Sequence, residues 1–137
     1  RMRIELLDAE ELSELLLDQN LHIRMAAVKL LNEKHPDFVP HDNEKKVIYS
    51  IHNGNFDELV NYEELAVEHL VERLFVTTNS KETERIVDTL IAIGKPALPK
   101  LDDIAEFLSV MASPYYSKRI TWTISQIKKL NKINGFV

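Results

Sequence analysis

Cysteine is absent from the 137 residues, and with it go disulfides, thiolate zinc sites and cysteine nucleophiles. Three glycines and five prolines are too few for a flexible linker or a low-complexity segment, so the chain reads as folded from end to end. No window approaches the roughly 18 to 20 uncharged residues that span a bilayer. Nor does the N-terminus carry an apolar core ahead of a small-residue cleavage site, and a cytoplasmic protein is expected. Arg1 ahead of Met2 reads as a cloning remnant, with Met2 the native start.

What remains is an apolar fraction of 45%, enough for a continuous core, and one domain over residues 1–137 is the expectation. The net charge of -5 is unevenly spread. Residues 1–54 carry 7 basic and 10 acidic groups, residues 55–112 carry 5 and 12, and residues 113–137 carry 5 and none. Most of the chain should repel nucleic acid and anionic membrane, and only its last segment is basic. Lys128, Lys129 and Lys132 there also suit the negative end of a helix.

Helical periodicity recurs throughout, without convincing period-2 alternation, so an all-α fold is expected. A capping box of Asp8 and Glu11 opens a first helix that presents Leu12, Leu15 and Leu16 and ends near Asp18. Asn20 caps a second, with Ile23, Ala26, Ala27, Leu30 and Leu31 as its stripe, and His35-Pro36 stops it. Residues 34–42 form a loop. A third helix over 43–52 buries Val47, Ile48 and Ile51 before Gly54. A second box, Asn61 with Glu64, should open a fourth helix carrying Ala66, Val67, Leu70, Val71, Leu74 and Phe75, with a short turn ahead of it.

Asn79 or Ser80 caps a fifth helix bearing Ile86, Val87, Leu90 and Ile93. Gly94 then ends it with positive φ, Pro96 starts a sixth helix, and the pair reads as a hairpin. The sixth carries Leu98, Leu101, Ile104, Ala105 and Leu108. Ser113-Pro114 opens a seventh containing Ile120, Ile124, Ile127 and Leu130.

Two strings resemble HEAT repeats, particularly the short form first noted in phycobilisome lyases. DQNLHIRMAAVKLL, residues 18–31, is similar to the Asp-turn-Val-Arg-small-Ala-Leu helix, with Asp18, Arg24, Ala26, Ala27 and Leu31 in the matching places. LIAIGKPALPKL, residues 90–101, resembles the junction between the two helices of a repeat. The arginine ladder is broken, because Thr83 stands seven before Leu90 where Arg24 stands seven before Leu31. The resemblance implies a right-handed superhelical stack of about seven helices, a HEAT-like or armadillo-type α-solenoid, irregular and made of three to four hairpins. Short amphipathic helices need neighbours on both sides, which independently favours stacking.

Chemistry-bearing patterns are sparse. No histidine sits in HExxH or in a Glu-x-x-His step, and the His-Glu dipeptide of HEAT-like hydroxylases does not occur. His35, Asp37, His41 and Asp42 fall within eight residues, as a cation site for a metal-dependent enzyme subunit or as a proline-braced connector with Asp42 or Asn43 capping the next helix. Glu63, Glu64, Glu68 and Glu72 form an acidic ribbon, a landing strip for a basic partner or a solvated face. Arg24 should brace Asp18 and its turn. No catalytic residue, metal or cofactor is assigned.

The seventh helix carries the candidate binding residues Tyr115, Lys118, Arg119, Trp122 and Lys129. At about 100° per residue, Tyr115, Lys118, Trp122 and Lys129 lie roughly opposite Ile120, Ile124 and Ile127. Either Phe136 and Val137 fold back over Trp122, or the helix buries two faces, or an aromatic-basic patch is exposed, as at protein anchors and nucleic-acid stacking platforms. The function expected is a non-catalytic protein-interaction scaffold or adaptor, binding a protein partner or its own copy. A nucleic-acid-associated protein using the basic last helix is the alternative, with overall acidity against it.

Overall fold

The capping box at Asp8 forms: its Oδ1 accepts from the Glu11 N–H at 2.9 Å and Glu11 Oε1 accepts from the Asp8 N–H at 3.1 Å. It opens the first of seven α-helices in the computed structural model, which describes residues 3–110 and 114–133. These helices are α1 Ala9–Leu15, α2 Leu21–Lys34, α3 Asn43–His52, α4 Glu64–Val76, α5 Ser80–Ile93, α6 Leu98–Val110 and α7 Pro114–Ile133. Short 3-10 turns occupy Ile4–Leu6, Asp57–Tyr62 and Lys95–Ala97, and no strand occurs among the described residues. Nor is any helix of the described residues long and apolar enough to cross a membrane. By its contacts the chain divides into two compact units, Arg1–Asn55 and Phe56–Val137.

In the first unit α1 packs on α2 and α2 on α3. Helix α1 stops at Leu15 rather than near Asp18, because Leu16, Leu17 and Asp18 turn their N–H groups to carbonyls three residues back and tighten the chain. Asn20 caps α2 as expected, accepting from the N–H groups of His22 and Ile23. The face that α2 buries is Arg24, Ala27, Val28 and Leu31; Ile23, Ala26 and Leu30 are only half-buried. The expected stripe was thus rotated too far toward Ile23, since an arginine does not read as a core residue. Leu12, Leu16, Ala27, Val28, Leu31 and Ile48 form the core, with Phe38 and Tyr49 edge-on to one another at its margin. Removing each of the leucine, isoleucine and valine side chains from water contributes about 1.5–3 kcal/mol. Asp42, not Asn43, caps α3.

In the second unit the Asn61–Glu64 box does not form. Phe56 and Leu59 are buried, Arg85 lies over the Phe56 ring at 5.2 Å and reaches Asp57 at 3.6 Å, and the chain is held in a 3-10 turn through Tyr62. Asn61 therefore lies inside that turn, and α4 begins after Glu63 with no side-chain cap. Tertiary burial overrides the local signal here. Helix α4 buries Ala66, Val67, Leu70, Val71 and Leu74, leaving Phe75 half-buried. Asn79 caps α5 through the Glu82 N–H at 3.0 Å.

The pairs that pack are α4 with α5, α6 with α7, and α5 with α7. The expected α5–α6 hairpin is not among them. The turn Lys95–Ala97 is inserted between these helices, and its buried Ala97 sits in a segment that touches α4, α5, α6 and α7. Gly94 has the positive φ expected, 75°, but with ψ at -133° it turns the chain away instead of making a left-handed helical cap. Ile120, Ile124 and Ile127 are buried in α7, whereas Leu130 is 41% exposed and leaves the stripe. Pro114 starts α7 as expected; the Ser113 cap and the Phe136–Val137 cover lie outside the described residues.

Candidate functional site

Proline at its first position pre-sets φ for α7, and 20 helical residues give a rod of about 30 Å. Thr123, Ile120, Ile124 and Ile127 face inward, the Thr123 hydroxyl donating to the Arg119 carbonyl at 2.8 Å so that no polar group is stranded. On the opposite side Tyr115 is 62% and Trp122 49% exposed, with Lys118 and Lys129 exposed beside them. Four of the five candidate residues thus share one outward strip. Arg119 is half-buried at its edge.

Spacing gives that strip a register. Tyr115, Lys118, Trp122, Ser125, Lys129 and Lys132 follow one another at alternating steps of three and four, the seam spacing of helix-on-helix packing. All six are exposed. The aromatic groups occupy the first half and the lysines dominate the second. Among the described residues Lys118, Lys128, Lys129 and Lys132 make no ion pair. This is a positive strip on a chain of net charge -5.

Tyr116 is a contributor that periodicity did not single out. It points to the other side, where its hydroxyl donates to the Phe75 carbonyl at 3.0 Å and its ring meets Phe75 edge-on at 4.9 Å. Tyr115 in turn stands edge-on to Tyr116 at 5.0 Å. The exposed ring is therefore buttressed through Tyr116 onto the end of α4, which lowers the entropy a partner must overcome. The adjacent tyrosines at positions 115 and 116 were the only sequence signal. Phe107, exposed near the end of α6, was missed because it lies off that helix's apolar stripe.

Elsewhere the candidates take structural roles. Arg24 is buried and its Nη1 donates to the Asp18 carbonyl at 2.6 Å, bracing the turn as expected, while the Asp18 carboxylate accepts from the Asn20 N–H. Thr83, at the corresponding place in α5, is also buried and bonds the Asn79 carbonyl at 3.1 Å. In the 35–42 loop His41, Asp37 and Asp42 are exposed and His35 is half-buried; Asp42 spends its carboxylate on the N–H groups of Glu44 and Lys45. No group of three His, Asp or Glu side chains among the described residues is placed to hold a metal ion. Glu63, Glu64 and Glu68 are exposed along α4 and Glu72 is half-buried.

An open groove of roughly 480 Å3 lies between the end of α5 and α7, floored by Ile91, Ile93, Pro96, Ile127 and Leu130 and flanked by Asp88. Its lining is mostly apolar, with Asp88 and Lys95 as its charged groups. Comparison of the chain with protein-family models, with curated proteins and with solved structures finds no match.

Proposed function

We propose that this chain is a HEAT-like, non-catalytic protein-interaction module of the cytoplasm, a scaffold or adaptor whose docking face is the outer strip of α7. The observation that carries the reading is Trp122: a half-exposed indole on a helix whose opposite side is closed by Ile120, Ile124 and Ile127. Large aromatic groups left in water beside cations are the composition of binding anchors, and tryptophan, tyrosine and arginine dominate measured interface energies. The consecutive packed pairs α4–α5 and α6–α7 support a HEAT-like arrangement, which in that family runs on as a right-handed superhelix.

Site-specific photo-crosslinking tests it. A crosslinker at position 118 or 129 should capture a protein, and Trp122→Ala should abolish capture while leaving the circular dichroism unchanged. Capture indifferent to Trp122 would sink the reading.

The exposed lysines of α7 favour a second reading, contact with a nucleic-acid backbone. It requires salt-dependent retention on DNA or RNA that disappears when Lys128 and Lys129 are changed to Glu. The third reading, a metal-dependent enzyme subunit using residues 35–42, has no observation in its favour.

A further inference from the structure

We propose that the partner of the α7 strip is the exposed acidic face of α4 in a second copy of this chain. The inference rests on the docking role of α7 argued above and names its occupant.

Helix α4 presents outward Leu65, Glu68 and Val76, with Glu63 and Glu64 exposed at its start and Glu72 half-buried between Glu68 and Val76. Leu65, Glu68, Glu72 and Val76 are spaced at three, four and four residues, so they form one row within about 100° of the helix circumference. The opposite row, Ala66, Val67, Leu70, Val71 and Leu74, is closed in the core, whereas Glu64 and Glu68 line an open groove beside Lys100 of α6 and keep their carboxylates exposed.

The two rows are complementary in order as well as in sign. On α4 the acids come first and Val76 last; on α7 the rings of Tyr115 and Trp122 come first and Lys128, Lys129 and Lys132 last. Laid antiparallel, the two helices set Glu68 against Lys129 and Glu64 against the end of α7 near Lys132. The same alignment brings Val76 between Lys118 and Trp122, and a parallel one would set the acids against the rings. From Glu64 to Val76 is about 18 Å and from Lys118 to Lys132 about 21 Å along the axis, so the rows also match in length. Antiparallel packing aligns the helix dipoles favourably. Opposite net charge on the two faces overcomes the repulsion between two chains of net charge -5 only at contact, so association should be salt-sensitive.

Sedimentation of the full chain over a concentration series decides it. The wild type should self-associate, and added salt should weaken the association. Glu68→Lys and Lys129→Glu, each at an exposed position, should each weaken it by about tenfold or more. An equimolar mixture of those two variants should recover association, because each reversed charge then meets its opposite. A chain that is monomeric at every concentration, or variants whose mixture is no better than either alone, overturns the proposal. If the chain is monomeric while Trp122-dependent crosslinking to another protein persists, the second-copy assignment falls and the docking role stands. Association that ignores both charge variants and Trp122→Ala removes both.

Discussion

Arg73 in the last turn of α4 and Glu82 in the first turn of α5 are joined by two near-parallel bonds, Nε to Oε1 at 3.0 Å and Nη2 to Oε2 at 3.2 Å. Both side chains are only 17% exposed. The pair fastens the end of one helix to the start of the next, and each charge also lies at the helix end that favours its sign. Fork-on-carboxylate geometry with partial desolvation sets it apart from an ordinary surface ion pair.

Glu82→Gln should therefore lower unfolding free energy by about 1–2 kcal/mol. A double-mutant cycle with Arg73→Ala, read by urea denaturation, should give a coupling of about 1 kcal/mol; additivity within about 0.3 kcal/mol would show the pair to be incidental.

Glu63 and Gly94 hold positive φ for opposite reasons. Glu63, at 46°, is forced there by the turn that buries Phe56 and Leu59; Gly94, at 75°, adopts such a conformation without cost. Glu63→Gly should raise stability by about 0.5–1 kcal/mol, the relieved strain exceeding the added chain entropy. Gly94→Ala should lower it by about 1–3 kcal/mol. A new Cβ at Gly94 would meet only the Ile91 carbonyl oxygen, at 3.7 Å, so that loss is conformational and not a clash. Opposite signs of change in denaturation midpoint check the pair.

Tyr49 gives the first unit an alkaline limit. Its hydroxyl donates to Asn32 Oδ1 at 2.6 Å, and burial pushes the phenol above its ordinary value, with a hydrogen bond to Asn53 working the other way. The folded state thus disfavours the phenolate. That contribution is complete below the ordinary phenol value of about 10 and is lost as pH rises through the higher folded value. Denaturation midpoints should fall as pH rises above about 10, and Tyr49→Phe should flatten part of that fall. An identical fall in the variant would contradict the assignment.

The two sides of α7 should respond differently to truncation. Ile127→Ala opens a hole in a fully buried site and should cost about 2–5 kcal/mol. Trp122→Ala should change stability by less than about 0.5 kcal/mol despite deleting a larger side chain. Thermal unfolding of both variants checks it; a large loss for Trp122→Ala would show the indole to be part of the core.

Signals that act within one turn were legible. The Asp8–Glu11 box, the Asn20 and Asn79 caps and the bounds of α3 rest on hydrogen bonds between near neighbours, the proline start of α7 on a ring-fixed φ, and all formed. What failed depends on distant partners. Asn61 and Glu64 carry a sound local box that the burial of Phe56 and Leu59 displaced, and Arg24 entered the core because the Asp18 carbonyl was there to receive it. The pairing of α5 with α7 in place of α6 turns on how Lys95–Ala97 is wedged among four helices, which no local pattern encodes. In the site, periodicity placed Tyr115, Lys118, Trp122 and Lys129 on one outward strip. It could not find Tyr116, whose part depends on the backbone of Phe75.

Trp122 is the only tryptophan of the chain, so its fluorescence reports on the α7 strip alone. In dilute solution the account requires red-shifted emission, open to acrylamide, that moves to the blue and becomes protected as protein concentration rises. A blue, quencher-resistant indole at every dilution would mean that the chain covers its own tryptophan and that α7 has no docking face.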